Sequence, residues 1–128
     1  HLDADMSRQG FKEFKTGSDI VFLENIGNLV CPAEFDTGAH LNLVLLSVPE
    51  GDDKPLKYSL MFSSGDAVAI TKIDTAKYFD FDVDKCKQYV AKLNPNTTFF
   101  TVSARSGEGV DALADWIYSK YTAWKVAK

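Results

Sequence analysis

Short apolar runs alternate along this chain with stretches in which apolar residues recur every three or four positions. Four of the runs have the length and composition of buried parallel strands, and they occupy residues 20–23, 41–48, 67–70 and 98–102. The helical spacing is clearest over residues 83–93 and 110–121, and a helix is also expected over part of 1–16. Strands that alternate with helices predict an α/β fold, a three-layer, doubly wound and mostly parallel sheet.

Polar residues follow each of the four predicted strands. These clusters occupy residues 24–27, 47–53, 71–74 and 103–109. Because the carboxyl ends of parallel strands meet at one edge of a sheet, we expect all four clusters at the edge where doubly wound folds bind ligands.

Composition and charge narrow the class of protein. The chain has 128 residues, a net charge of -4 and a pI near 5.1. These values predict one domain over residues 1–128 and argue against general nucleic-acid binding, which needs clustered lysine and arginine. No apolar stretch approaches the ~20 residues that span a bilayer, and no signal-peptide pattern opens the chain. We therefore expect a cytoplasmic protein with no membrane role, in which Cys31 and Cys86 are separate thiols.

Residues 71–74, Thr-Lys-Ile-Asp, have the form of a guanine-recognition signature. At the end of a strand, the Asp74 carboxylate can accept hydrogen bonds from N1 and N2 of guanine, whereas adenine presents an acceptor at N1. Lys72 would lay its aliphatic stem along the base. Alone, the motif is equally compatible with a strand that ends in a solvated turn.

A second element follows the next predicted strand. Ser103-Ala104-Arg105 resembles the Ser-Ala-Lys element of GTPases, which presents a backbone N–H to the guanine carbonyl. Gly107 and Gly109 permit an unusual backbone path beside it. Two such elements at consecutive strand ends predict guanine binding. The predicted guanine-binding residues are Thr71, Lys72, Asp74, Ser103, Ala104 and Arg105.

The phosphate-binding half of such a GTPase is not found in this sequence. No glycine is followed by lysine, so the P-loop, whose amides and lysine hold the phosphates, cannot be placed. We therefore expect the C-terminal portion of a P-loop GTPase domain, and we expect this chain alone not to hydrolyse GTP. A sheet without its first strand would have an open edge that favours self-association.

A longer motif begins at Glu24. Glu24-Asn25-Ile26-Gly27 is similar to a Walker B and switch region, in which a carboxylate approaches magnesium and a glycine amide senses the terminal phosphate. It continues as Asn28-Leu29-Val30-Cys31-Pro32-Ala33-Glu34-Phe35-Asp36. With residues 47–58, 71–74 and 103–105, this string resembles the HypB family, the nickel-incorporation GTPases of hydrogenase maturation. The related urease nickel-insertion GTPases resemble the chain less, because they lack the Asn-Leu-Val-Cys-Pro-Ala form.

The resemblance implies a GTP-binding and GTP-hydrolysing metallochaperone that uses GTP/GDP and Mg²⁺ and delivers nickel during hydrogenase maturation. It implies Glu24 and Gly27 as catalytic residues, and a homodimer with a nickel or zinc site between subunits to which His1 and Cys31 correspond. A thiolate and an imidazole suit either metal. Hydrogenase maturation proteins and the hydrogenase large subunit are the implied partners. The family's first cysteine would stand immediately before His1, so the chain is expected to begin inside that site.

Some positions depart from the family pattern or have simpler interpretations. Thr71 stands where the family more often has Asn, and Arg105 replaces Lys. In the simpler interpretation, Cys31 is a small apolar residue before a turn-forming proline, and His1 is an ordinary chain end. His40 is either a surface residue or a further metal ligand. The alternative functions are a non-catalytic nickel- or zinc-binding dimerisation module and a urease-type nickel-insertion GTPase.

Overall fold

A three-stranded parallel sheet forms the centre of the computed structural model, which describes residues 2–13, 17–25 and 27–128. The strands are β1 (Leu43–Ser47), β2 (Ala67–Thr71) and β3 (Thr98–Thr101), and they lie in the order β1-β2-β3. In the register, Leu46 lies opposite Ile70 and Ile70 opposite Thr101. All three carboxyl ends therefore reach the same edge, as the sequence predicts for the last three of its four strands.

Helices of very different lengths connect the strands. The two longest, Val83–Leu93 (α4) and Val110–Ala127 (α5), carry the helical spacing predicted from the sequence. Asp82 caps α4 by accepting a hydrogen bond from the Lys85 N–H at 3.0 Å. The last helix continues beyond the predicted Tyr121 to Ala127. The helices are α1 (Ala4–Glu13), α2 (Lys54–Lys57), α3 (Ser59–Ser64), α4 (Val83–Leu93) and α5 (Val110–Ala127). Short 3-10 turns cover Cys31–Glu34, Val48–Glu50 and Ile73–Tyr78.

The main core lies on one face of the sheet. Alternate strand residues point to the same side, and the side chains on this side pack with Phe62 of α3 and with Cys86 and Val90 of α4. Burial of these side chains supplies the main stabilisation of the sheet, at about 25 cal/mol per Å² of apolar surface. The strand residues in this core are Val44, Leu46, Val68 and Ile70, all at most 5% exposed.

On the opposite face of the sheet, α5 packs against β3. Phe99 belongs to the main core, so its neighbour Phe100 points the other way, where its ring meets Trp116 of α5 edge-on at 5.8 Å between centroids. Helices thus flank the sheet on both faces, which confirms the predicted three-layer α/β architecture. Within the described residues, no helix has the combination of length and apolar composition that crossing a membrane requires.

The prediction of a strand over residues 20–23 is wrong. This segment has no regular secondary structure and joins no strand of the described sheet. Its side chains are largely solvated, with Phe22 77% exposed. A β-strand is stabilised by hydrogen bonds to a neighbouring strand. A run of residues with high β propensity that lacks such a neighbour is therefore not stabilised as a strand. The polar cluster at 24–27 therefore does not end a strand, unlike the other three.

Candidate functional site

The turn after β2 holds Asp74 through a strained backbone. Lys72 adopts a left-handed conformation, with φ 58° and ψ 37°, which costs a residue with a side chain about 1–2 kcal/mol. The turn is closed by Thr75, whose N–H and Oγ1 both donate to the Lys72 carbonyl, at 2.9 and 2.7 Å. A non-glycine residue kept in this conformation is characteristic of functional turns.

A hydrogen bond joins Asp74 to the turn after β3. Ser103 is completely buried, and its Oγ donates to Asp74 Oδ1 at 2.7 Å. The same hydroxyl accepts from the Ser106 N–H at 3.1 Å. The backbones also meet, since the Ile73 N–H donates to the Val102 carbonyl at 3.1 Å. The two predicted guanine-recognition elements are therefore one hydrogen-bonded unit.

Two glycines shape the loop that follows Ser103. Gly107 and Gly109 have φ of 84° and 71°, and a Cβ on Gly109 would collide with the Thr101 carbonyl oxygen. The loop satisfies several of its own amides: Ser103 N–H donates to the Glu108 carbonyl and Gly107 N–H to the Ser103 carbonyl. The Ala104 N–H has no acceptor among the described residues, and Ala104 is exposed.

The hydrogen-bonding groups at this edge suit a planar ligand that has both donors and acceptors. No described residue donates to the second carboxylate oxygen of Asp74. Ala104, the exposed residue that follows Ser103 in the chain, supplies a backbone donor. Lys72 and Arg105, which belong to the two predicted elements, are both exposed. A ligand with two adjacent donors and one acceptor on its edge matches this set.

The segment 17–40 carries the other predicted residues and is built differently. Glu24 and Gly27 are exposed, and Ile26 lies outside the described residues. Leu29 packs against the main core and anchors the middle of the segment. The backbone of Cys31 opens the 3-10 turn Cys31–Glu34, with Pro32 in its first positions, and this turn contacts α3.

The chain next to His1 lies against this segment. His1 itself is outside the described residues, but the Leu2 N–H donates to Asn25 Oδ1 at 2.9 Å. Ala4 also lies close to Gly38, because a Cβ on that glycine would be 3.8 Å from the Ala4 Cβ. The fold thus brings the neighbours of one predicted metal ligand to the segment that contains the other.

Neither His40 nor any other described group completes a metal site. Among the described residues, to which neither His1 nor the Cys31 side chain belongs, no group of three or more His, Cys, Asp or Glu side chains is placed to hold a metal. His40 instead packs edge-on against Trp124, with ring centroids 4.9 Å apart. Its role as a further ligand gains no support.

The polar residues after β1 stabilise one another. Lys57 Nζ lies 3.0 Å from Asp53 Oδ2, and this hydrogen-bonded ion pair lowers the pKa of the Asp53 carboxyl. Lys54 lies over the Tyr58 ring at 5.7 Å. Both lysines therefore have partners within the turn itself. Asp52 Oδ2 accepts from the Asp82 N–H at 2.8 Å and ties this turn to the start of α4.

Sequence reasoning missed two features of the site. It treated Ser103 as part of a backbone element, whereas the structure gives its hydroxyl the task of holding Asp74. It also did not foresee the left-handed Lys72. The positive-φ glycines at 107 and 109 were the available signal that the Ser103 loop has a demanding backbone path.

The sequence of this chain is similar to those of known proteins. No protein-family model matches the chain. It is 46% identical over 119 residues to the hydrogenase maturation factor HypB of Azotobacter chroococcum and 42% identical over 125 residues to the hydrogenase/urease maturation factor HypB of Helicobacter hepaticus. These alignments cover 91% and 94% of the chain but 39% and 52% of those relatives, so the chain spans about half their length or less.

Solved structures give the same relationship. The structure of HypB from Helicobacter pylori in complex with nickel matches with a TM-score of 0.91 and 40% identity, over 96% of this chain and 60% of that one. HypB from Archaeoglobus fulgidus matches with a TM-score of 0.86 and 34% identity, over 92% and 63% of the two chains. The fold predicted from the alternation of strands and helices is thus that of the C-terminal part of these proteins.

Proposed function

We propose that this chain, a relative of the HypB hydrogenase maturation factors by sequence and by fold, is the guanine-recognising C-terminal portion of a GTP-hydrolysing metallochaperone that delivers nickel during hydrogenase maturation. The observation that carries the proposal is the hydrogen bond from Ser103 Oγ to Asp74 Oδ1. It joins two guanine-recognition elements, each at the end of a strand, into one preorganised edge.

Guanine recognition follows from the groups at that edge. The Asp74 carboxylate accepts from N1–H and N2–H of the base, while an exposed backbone N–H at Ala104 donates to the guanine carbonyl. Ser103 holds the carboxylate in place before the base arrives, so little ordering is required on binding. Adenine would place its N1 acceptor against the carboxylate and leave it unpaired, which costs about 1–3 kcal/mol.

Hydrolysis in the whole protein would be electrostatic and positional. Glu24, an exposed carboxylate, has the oxygen chemistry that Mg²⁺ prefers. When bound, Mg²⁺ would neutralise charge that develops on the phosphates. The backbone N–H of Gly27 would contact the terminal phosphate. Because the chain contains no Gly-Lys pair, we expect these residues alone not to turn over GTP.

Nickel is the proposed cargo, bound by Cys31 and His1. A thiolate and a neutral imidazole fit nickel or zinc, and a solved relative is described as a complex with nickel. The contact between Leu2 and Asn25 supports the pairing, since it brings the neighbour of His1 to the segment of Cys31. We propose a homodimer around this site, hydrogenase maturation proteins and the hydrogenase large subunit as partners, and a cytoplasmic location.

A second candidate function is a nickel- or zinc-binding dimerisation module that works without nucleotide. The same Leu2–Asn25 contact favours it, because it links the predicted ligand segments through residues that are not part of the guanine edge. Urease maturation is a further possibility, since the Helicobacter hepaticus relative is named a hydrogenase/urease maturation factor.

Calorimetry of the purified chain with nickel chloride and with GDP separates these functions. We expect Cys31→Ala to weaken nickel binding by about 100-fold or more and to leave GDP binding unchanged, because one ligand is removed outright. Asp74→Asn should weaken GDP binding and leave nickel binding unchanged. The matched control is Cys86→Ala, which removes a thiol buried in the core. Nickel binding without any GDP binding would favour the metal module, and GTP turnover by the chain alone would contradict the assigned need for a P-loop.

A further inference from the structure

The end of α5 contacts both ends of the segment 17–40. Tyr121 Oη donates to Asp19 Oδ1 at 3.1 Å, across 102 positions of sequence. One turn later, the Trp124 ring meets the His40 ring edge-on, with centroids 4.9 Å apart and planes at 67°. Asp19 precedes Glu24 and His40 follows the turn that Cys31 opens, so the two contacts bracket both predicted functional positions.

The two aromatic rings are themselves held in place. Tyr121 and Trp124 lie 6.4 Å apart between centroids, with their planes tilted by 31°. Lys125 lies 5.8 Å from the Tyr121 ring and Lys128 lies 4.3 Å from the Trp124 ring. Cation–π contacts of this kind favour one ring orientation. The last turns of α5 therefore present a preformed pair of rings to the segment.

The segment depends on such contacts because it has little regular structure of its own. Its described residues contain one 3-10 turn, Cys31–Glu34, and no strand or α-helix. Leu29 is anchored on the core, but long stretches on either side of it are exposed. Tying down the two ends of an irregular segment removes many of its alternative conformations.

We propose that Tyr121 and Trp124 are positioning residues that hold both ends of segment 17–40 and thereby set the geometry around Glu24 and Cys31. This inference rests on the proposed function, in which Cys31 binds nickel. Neither aromatic residue contacts the metal or the nucleotide in this proposal. They act through Asp19 and His40, so their loss should loosen the segment without unfolding the sheet.

Hydrogen exchange combined with nickel titration tests the proposal. In the purified chain, Tyr121→Phe removes only the hydroxyl that bonds Asp19, and a Tyr121→Phe/Trp124→Leu double variant removes both contacts. We expect faster amide exchange over 17–40 with unchanged protection of β1, β2 and β3. Nickel binding should weaken by about 2- to 10-fold in the double variant, the range that corresponds to losing one ordinary hydrogen bond. The control is Tyr118→Phe, since Tyr118 is 63% exposed one turn earlier on the same helix.

Each outcome decides between the inference and its premise. Unchanged exchange over 17–40 in the double variant overturns the inference, as does faster exchange with unchanged nickel affinity when Cys31→Ala abolishes nickel binding. If Cys31→Ala leaves nickel binding intact, the proposed nickel site is wrong. The exchange data then decide on their own whether the aromatic pair positions the segment. If the strands of the double variant lose protection, the sheet itself is destabilised and the single variant Tyr121→Phe becomes the test. Faster amide exchange over 17–40 is expected in that variant too.

Discussion

The edge formed by the turns after β2 and β3, where guanine is proposed to bind, and segment 17–40 obtain their geometry in opposite ways. At the edge, Asp74 and Ser103 follow adjacent strands whose register fixes where they meet, and Ser103 is fully buried. Segment 17–40 has exposed apolar side chains and is held by contacts with Leu2 and with the end of α5. Preorganisation suits recognition of a rigid base, whereas a segment with few buried contacts is the part of a protein that opens and closes most readily. In the proposed function, the edge would recognise the base, and segment 17–40 would be the part that changes with the bound nucleotide and metal.

The sharpest test of the preorganised edge is a change of base preference. In Asp74→Asn, the amide N–H₂ would face the donors of guanine, while xanthine, which has a carbonyl at C2, would gain a partner. We expect affinity for GDP to fall roughly 100- to 1000-fold and that for xanthosine diphosphate to rise, since buried polar groups left unpaired carry such discrimination. Calorimetry with both nucleotides measures this, with Asp84→Asn on the exposed start of α4 as control. An equal loss of both affinities would argue against a carboxylate that reads the base.

Substituting one glycine in each region by alanine tests how tightly the two regions are packed. Gly109→Ala should lower the free energy of unfolding by about 3 kcal/mol, because a Cβ would collide with the Thr101 carbonyl oxygen and φ is positive. Gly27→Ala should change it by less than about 0.5 kcal/mol, since a Cβ there meets nothing within 4 Å. Urea unfolding of both variants gives the values. Similar losses at the two positions would mean that segment 17–40 is as tightly packed as the edge.

Removing the hydroxyl of Ser103 tests the link within the edge. Ser103→Ala deletes the bond to Asp74 and leaves the Ser106 N–H without its acceptor, so we expect a loss of about 1–3 kcal/mol in unfolding free energy. GDP affinity should fall as well, because Asp74 is no longer held. The control for both measurements is Ser106→Ala, which removes an exposed hydroxyl of the same loop that accepts from the Glu108 N–H and has no hydrogen bond to Asp74. If the two variants bind GDP equally well, Ser103 does not position the carboxylate.

The last comparison concerns the response of the core to alkaline pH, which changes nothing near neutral pH. Burial, with a smaller contribution from the Asp52 carboxylate, raises the pKa of the Cys86 thiol from 9.0 to about 12. The folded state therefore holds this proton more tightly than the unfolded state, so the contribution to stability is complete below pH 9 and is lost as pH rises toward about 12. Unfolding free energies at several alkaline pH values should decline less in Cys86→Ala than in the original chain. Parallel declines would show that the thiol is not the group responsible.

Pattern reasoning from the sequence performs well where local and global preferences agree. The helix predicted over residues 83–93 is α4, Val83–Leu93, because its apolar spacing matches the face it buries and Asp82 caps it. The predicted strand over 67–70 is the fully buried part of β2. Residues 20–23 have the same apolar, β-rich composition and form no strand, because composition does not reveal whether a hydrogen-bonding neighbour exists.

Residue types at short spacings were enough to predict the α/β architecture, the likeness to HypB and the two motifs proposed to recognise guanine. The fold adds that Ser103 holds Asp74, that Gly109 lies against Thr101, and that Tyr121 and Trp124 reach Asp19 and His40. Apart from the contact of Gly109 with Thr101, these contacts join residues far apart along the chain, up to 102 positions. Their partners are selected by strand register and helix packing, which no local pattern of side chains encodes.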